Sequence, residues 1–123
     1  MQDDRSKSIL VVDDEPNVCE LVSEGLADMG YNCQAVCDPH AARELIDKSV
    51  IDLLISDIAM PGMTGLELLA HARQRAPHCK VILITGVSSQ GFLAEALEQG
   101  AFDYLEKPFA MDRLLGSVER LLG

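Results

Sequence analysis

Five short apolar runs alternate with five stretches whose apolar residues recur at helical spacing, and few folds accommodate that alternation. The runs are Ile9 to Val12, Cys33 to Cys37, Ile51 to Ile55, Val81 to Ile84 and Phe102 to Leu105. Three of them are nearly continuous and rich in β-branched residues, as strands are when both faces of a parallel sheet are covered. Between them, Val18, Val22, Leu26 and Met29 form one helical stripe and Ala42, Leu45 and Ile46 a second. Leu66, Leu69, Ala72 and Ala76 form a third, and Phe92, Leu93, Ala96 and Leu97 a fourth. The fifth is the clearest: Met111, Leu114, Leu115, Val118, Leu121 and Leu122. Pro16 and Pro39 suit first helical positions, Asp38 and Ser88 suit caps, and Gly30 and Gly100 fall where a left-handed residue ends a helix. The pattern predicts a doubly wound α/β fold of (βα)5 type, a parallel sheet between two helical layers with right-handed crossovers. At 123 residues it forms one domain, 1–123 with its core in 8–122.

Function is expected where polar residues meet the carboxyl ends of the strands, since open parallel sheets bind ligands there. The first strand runs into Asp13, Asp14 and Glu15, the third into Asp57, the fourth into Thr85, and the fifth into Lys107. If the strand order is 2-1-3-4-5, the first and third strands are neighbours and Asp13, Asp14 and Asp57 share one crevice. Carboxylates so crowded force at least one toward its neutral form unless a cation compensates. Mg2+ suits a few carboxylates plus water and phosphate oxygens. A carboxylate relieved of its repulsion can attack a phosphoryl group and become an aspartyl phosphate, with Lys107 and Thr85 meeting the transferred oxygens. Taken singly, each residue has a plainer reading. Asp13 and Asp14 suit a helix N-terminus, Asp57 a turn, Thr85 a structural hydroxyl and Lys107 a solvated amine. Their coincidence at one edge favours the chemical reading.

Other classes are disfavoured. A formal net charge of -10 opposes a direct nucleic-acid surface. No apolar run reaches membrane-spanning length, so no membrane insertion is expected. The polar segment from Met1 to Ser8 does not resemble a signal peptide, which makes the cytoplasm the expected compartment, and Met1 suggests a native start. Cys19, Cys33, Cys37 and Cys79 form no CxxC pair and are read as packing residues, with Cys33 and Cys37 sharing one face of a strand.

The motifs resemble the response-regulator receiver family of two-component signalling. The resemblance runs from about Ser8 to Leu122. It rests on Ile-Leu-Val-Val-Asp-Asp-Glu-Pro (9–16), Leu-Leu-Ile-Ser-Asp-Ile-Ala-Met-Pro-Gly-Met-Thr-Gly (53–65), Val-Ile-Leu-Ile-Thr-Gly (81–86) and Gly-Ala-Phe-Asp-Tyr-Leu-Glu-Lys-Pro-Phe (100–109). It implies a flavodoxin-like three-layer sandwich with strand order 2-1-3-4-5. It also implies Asp57 as phosphoacceptor and Mg2+ held by Asp14, Asp57, the Ala59 backbone carbonyl and, often through water, Asp13. Lys107 would contact the phosphoryl group, across a cis bond to Pro108. Thr85 and Tyr104 would form the switch, and the fourth helix, fifth strand and fifth helix the output face. The implied donor is a sensor histidine kinase or histidine phosphotransfer protein. A downstream effector domain or protein, and pairing of two copies on phosphorylation, stay open.

Three rivals remain alongside. A Mg2+-dependent small-molecule phosphatase would use the same intermediate, but typically needs a second acid where Ala59 stands. A flavin module would need a phosphate cradle where the acidic 13–15 loop lies. An inert scaffold would lack site residues that are present here. Ala59 and Val87, two residues past Asp57 and Thr85, are apolar and orient no water, so the acyl phosphate is expected to be long-lived. Ala59→Asn with Val87→Glu should speed its loss, and an unchanged decay rate would contradict that expectation.

Overall fold

A computed structural model describes residues 7–86 and 91–122. The chain alternates β1 (Ser8–Val12), α1 (Pro16–Asp28), β2 (Asn32–Val36), α2 (Pro39–Lys48), β3 (Leu53–Asp57), α3 (Gly65–Arg75), β4 (Lys80–Thr85), α4 (Leu93–Glu98), β5 (Asp103–Glu106) and α5 (Met111–Leu122). The strands form one sheet in the order β2-β1-β3-β4-β5, every pair parallel. The fold and the strand order are those expected from the sequence.

Alternate residues of each strand enter opposite layers. Leu10, Val12, Leu54 and Leu83 pack with Ala42 and Ile46 of α2 and with Leu68, Leu69 and Ala72 of α3. Ile9, Val11, Leu53, Ile55, Ile82 and Ile84 pack with Val22 and Leu26 of α1 and with Leu114 and Val118 of α5. This double coverage explains why β1, β3 and β4 read as unbroken apolar runs. β2, at the sheet edge, is mostly exposed.

The punctuation works as read. Pro16 and Pro39 open α1 and α2, and Asp38 accepts a hydrogen bond from the His40 N–H at 3.0 Å. Gly30 and Gly100 take positive φ just past α1 and α4. Ser88, expected to cap the fourth helix, lies outside the described residues. The third apolar run begins two residues before its strand, because Ile51 is buried without being extended in the sheet. Buried apolar character marks the core, and strand pairing is a narrower condition.

The cysteine expectation needs one correction. Cys19 and Cys79 are buried and Cys33 packs against the α1–α5 layer, but Cys37 lies just beyond β2 and is exposed. β2 ends at Val36, so Cys33 and Cys37 are not two residues of one strand face. Burial pushes the Cys33 thiol up to about 11 and the Cys79 thiol up to about 12.

On the β5–α5 side, Asp103 ties strand to helix. Its carboxylate accepts from the Ser117 hydroxyl at 2.8 Å and pairs with Arg120, and it also accepts from the Tyr104 N–H at 2.8 Å. Burial alone would raise its pKa. These donors more than offset that, and the carboxyl sits below its ordinary value of 3.8. A carboxylate lowered on folding contributes stability above its unfolded value, and that contribution is lost as pH falls through the folded one. Arg120 is well exposed, so the Ser117 and Tyr104 bonds carry most of it. Asp103→Asn is expected to cost about 1–2 kcal/mol at neutral pH. The difference from wild type should shrink below pH 3.8, as read from urea unfolding across pH.

Candidate functional site

β1 and β3 are neighbours in register, Val12 beside Ser56, so the residues that follow both leave the sheet at one edge. Asp13 is fully buried there and Asp57 is 5% exposed, while Asp14 and Glu15 face outward. One carboxylate oxygen from each of Asp13, Asp14, Glu15 and Asp57 lies within 4.8 Å of the other three. The acids predicted to converge do converge. Glu15, noted in the sequence only as following the pair, joins them.

Lys107 reaches into this cluster from the end of β5. Its Nζ lies 2.9 Å from Asp13 Oδ2, 2.7 Å from Glu15 Oε1 and 2.9 Å from Asp57 Oδ2. Burial disfavours its charge, but the hydrogen bonds to Glu15 and Asp57, with the carboxylate charge of Asp13 beside them, outweigh that and hold the ammonium well above its ordinary value. The Lys107–Pro108 bond is cis, as the resemblance implied. Asp13 shows the opposite balance. Burial pushes its carboxyl above the ordinary value, the bond from the Glu15 N–H and the neighbouring Lys107 ammonium pull it back, and the charge of Asp57 adds to the rise. Its Oδ1 accepts from the Glu15 N–H at 2.9 Å. Its Oδ2 is buried and receives no directed hydrogen bond; Lys107 is close in charge and distance but not aligned.

That orphaned oxygen tests the fit of a metal. One ammonium faces four carboxyl groups, so negative charge is in excess, and the donors are all oxygen. Such a set fits a hard divalent cation of the Mg2+ type, which takes carboxylates and keeps several waters.

Asp57 is held firmly. Its Oδ1 accepts from the Ala59 N–H at 3.2 Å, its Oδ2 from Lys107 at 2.9 Å, and its backbone oxygen from the Ser56 hydroxyl at 3.0 Å. Beneath it, the capping box between Thr64 and Glu67 starts α3, and Gly65 donates its N–H to the Ile58 carbonyl at 2.7 Å. A Cβ on Gly65 would lie 2.4 Å from the Asp57 carbonyl oxygen, so only glycine allows this approach. Sequence reading missed that role. The signal was the Thr-Gly pair eight residues past an acid, which alone is weak.

The remaining expected residues divide. Thr85 ends β4 at the same edge and is buried, but its hydroxyl donates to the Leu105 carbonyl at 3.4 Å and is turned toward β5. Tyr104 is half-buried on β5 opposite Leu83 and lines a pocket with Glu106, Pro108 and Arg113. Ala59 is exposed beside Asp57, and Val87 lies outside the described residues.

Beside the cluster runs a groove of about 520 Å3, walled by Val18, Leu21, Pro108 and Phe109, with Glu15 and Lys107 at its acidic end. Leu21 is 55% exposed there.

The sequence profile of the response regulator receiver domain matches residues 9–119. The chain belongs to the response-regulator receiver family. This receiver is 39% identical over 114 residues to the DNA-binding transcriptional regulator NtrC of Escherichia coli K12, covering 93% of this chain and 24% of that protein. It also resembles a CheY-like receiver domain from Methanospirillum hungatei, at TM-score 0.91 and 30% identity, covering 95% of this chain and 94% of the other. NtrX from Brucella abortus matches at TM-score 0.87 and 34% identity, covering 95% of this chain and 27% of NtrX. The receiver thus spans about a quarter of the curated regulators it matches. The family is that of two-component signal transduction, and its receivers are signalling domains. Among the described residues, no helix is long and apolar enough to cross a membrane.

Proposed function

We propose that this receiver accepts a phosphoryl group on Asp57 from a phosphohistidine donor, and that the acyl phosphate resets the face formed by α4, β5 and α5. The observation that carries the reading is the ammonium of Lys107 set 2.9 Å from Asp57 Oδ2 among crowded carboxylates. Asp14, Asp57, Asp13 and the Ala59 carbonyl are the proposed holders of Mg2+. When bound, the ion offsets the carboxylate charge and that of the incoming phosphoryl oxygens. Asp57, fixed by the Ala59 N–H, presents one carboxylate oxygen as nucleophile. Lys107 exchanges a carboxylate partner for a phosphoryl oxygen. Thr85 exchanges its bond to the Leu105 carbonyl for another, and Tyr104 follows it inward. Phosphorylation shifts the receiver only by its different affinity for the two arrangements. The side chain is consumed once per event, so the receiver is a switch, sited in the cytoplasm with its donor.

The groove supports docking of the donor beside the rim. A phosphohistidine on another protein must reach Asp57 at this rim, and the apolar wall of Val18, Leu21 and Phe109 borders it. The proposed partner is a sensor histidine kinase or histidine phosphotransfer protein that covers this wall. Leu21→Asp is expected to slow transfer from the protein donor at least about tenfold, the effect of losing one interface anchor. The rate with acetyl phosphate should stay near wild type. Equal slowing with both donors would contradict a docking role.

The experiment for the function itself is incubation with acetyl phosphate and Mg2+, read by intact mass. Gain of a single phosphoryl group is expected, and no gain when a chelator is present from the start. Steady hydrolysis of a generic phosphate ester, with no retained group, would favour the small-molecule phosphatase instead.

A further inference from the structure

Two of the four cysteines meet directly behind the acidic rim. Cys19, in the first turns of α1, is 5% exposed, and Cys37, in the loop after β2, is open to solvent. Their sulfur atoms are 3.8 Å apart, although 18 positions separate them in sequence. A disulfide needs about 2.0 Å between sulfurs. Closure therefore asks for a short movement by a side chain on an exposed loop, not for a rearranged core. The single S–H of Cys19 has the Asp13 carbonyl at 3.2 Å and the Val36 carbonyl at 3.4 Å as acceptors within reach. It thus joins β1, β2 and α1 at the residue whose carboxylate is buried in the site.

We propose that Cys19 and Cys37 are a redox modification site, closing to a reversible intramolecular disulfide that couples the oxidation state of the surroundings to the acidic site. The oxidant is a small disulfide of the glutathione class. Cys37, the sulfur such a molecule can reach, attacks it as thiolate. A Cys37–glutathione bond forms, the glutathione disulfide bond breaks and one glutathione thiol leaves. Cys19 then attacks the Cys37 sulfur, releasing the second glutathione, and its proton goes to solvent or to that leaving thiolate. In sum, two protein thiols lose two electrons and two protons, and one glutathione disulfide becomes two glutathione thiols. The bridge removes the S–H that Cys19 donates to the Asp13 carbonyl and pins α1 to the end of β2. A residue behind a metal ligand tunes that ligand, so closure should change cation binding at the rim. This second effect rests on the proposed Mg2+ site; the bridge itself does not.

The test equilibrates the folded wild-type chain with glutathione disulfide, unfolds it, blocks free thiols with iodoacetamide and reads the intact mass. Two blocked thiols in place of four are expected, with all four restored by dithiothreitol. Cys33→Ser should still close the bridge, whereas Cys37→Ser should leave every remaining protein thiol outside any bridge. A lasting glutathione adduct on Cys37 with Cys19 free, a chain-to-chain crosslink, or a bridge lost in Cys33→Ser would overturn the proposal. Titration of Mg2+ into reduced and oxidised protein reads the coupling. About a tenfold weaker affinity is expected after oxidation, and equal affinity would overturn the coupling. Absence of Mg2+ binding to both forms would count against the proposed metal site, while the bridge is judged by mass alone.

Discussion

Asp57→Asn is expected to gain no phosphoryl group from acetyl phosphate and Mg2+ under conditions in which the wild-type chain gains one. The amide has the shape of the carboxylate but not its nucleophilic oxygen, so the loss should be total rather than partial. The fold should survive. The Asn side-chain oxygen can still accept from the Ala59 N–H, and Lys107 keeps Asp13 and Glu15 as counter-charges. Removing the Asp57 charge also relieves part of what pushes Asp13 upward. Unfolding in urea should therefore show the variant no less stable than wild type. Intact-mass measurement decides the first point, and product on the variant would show that another residue accepts the phosphoryl group.

The second large effect is structural and falls on Gly65. An added Cβ would sit 2.4 Å from the Asp57 oxygen, 2.7 Å from the Ile58 Cα and 3.0 Å from the Asp57 carbonyl carbon. All three are backbone atoms at the end of a central strand, with no flexible tip to give way. Gly65→Ala is therefore expected to cost about 3 kcal/mol, at the upper end for overpacking, and to displace the loop that positions Asp57. Gly25 makes the contrast. A Cβ there also meets an atom at 2.4 Å, but that atom is the terminal Cε of Met111, which can swing aside. Gly25 lies within α1, where alanine gains about 1 kcal/mol over glycine, so Gly25→Ala should stay within about 1 kcal/mol of wild type. Urea midpoints for the pair measure the difference. Similar costs would mean that the strand end yields more readily than its burial suggests.

The layout of the fold was legible because two periodicities alternate cleanly and Pro16, Asp38, Pro39, Gly30 and Gly100 mark several helix ends. The strand ends then located Asp13, Asp14, Asp57 and Lys107 without any contact being known, since a parallel sheet delivers every strand's carboxyl end to one edge. The missed parts have physical reasons. Glu15 joins the cluster only because Lys107 reaches 92 positions back along the sequence to meet it. Gly65 matters through a backbone approach, which leaves no mark in residue chemistry. Cys37 was assigned to a strand because an apolar run does not show where edge pairing stops. The resting bond of the Thr85 hydroxyl to the Leu105 carbonyl is a matter of rotamer, which cannot be read from a sequence.

The most direct test of the account locates the labile group chemically. Protein treated with phosphoramidate and Mg2+ is reduced with borohydride, which converts an aspartyl phosphate to homoserine, then digested and sequenced by mass spectrometry. The account predicts homoserine at position 57 alone. Homoserine at position 13 or 14, or at no position in protein that has gained a phosphoryl group, would contradict it.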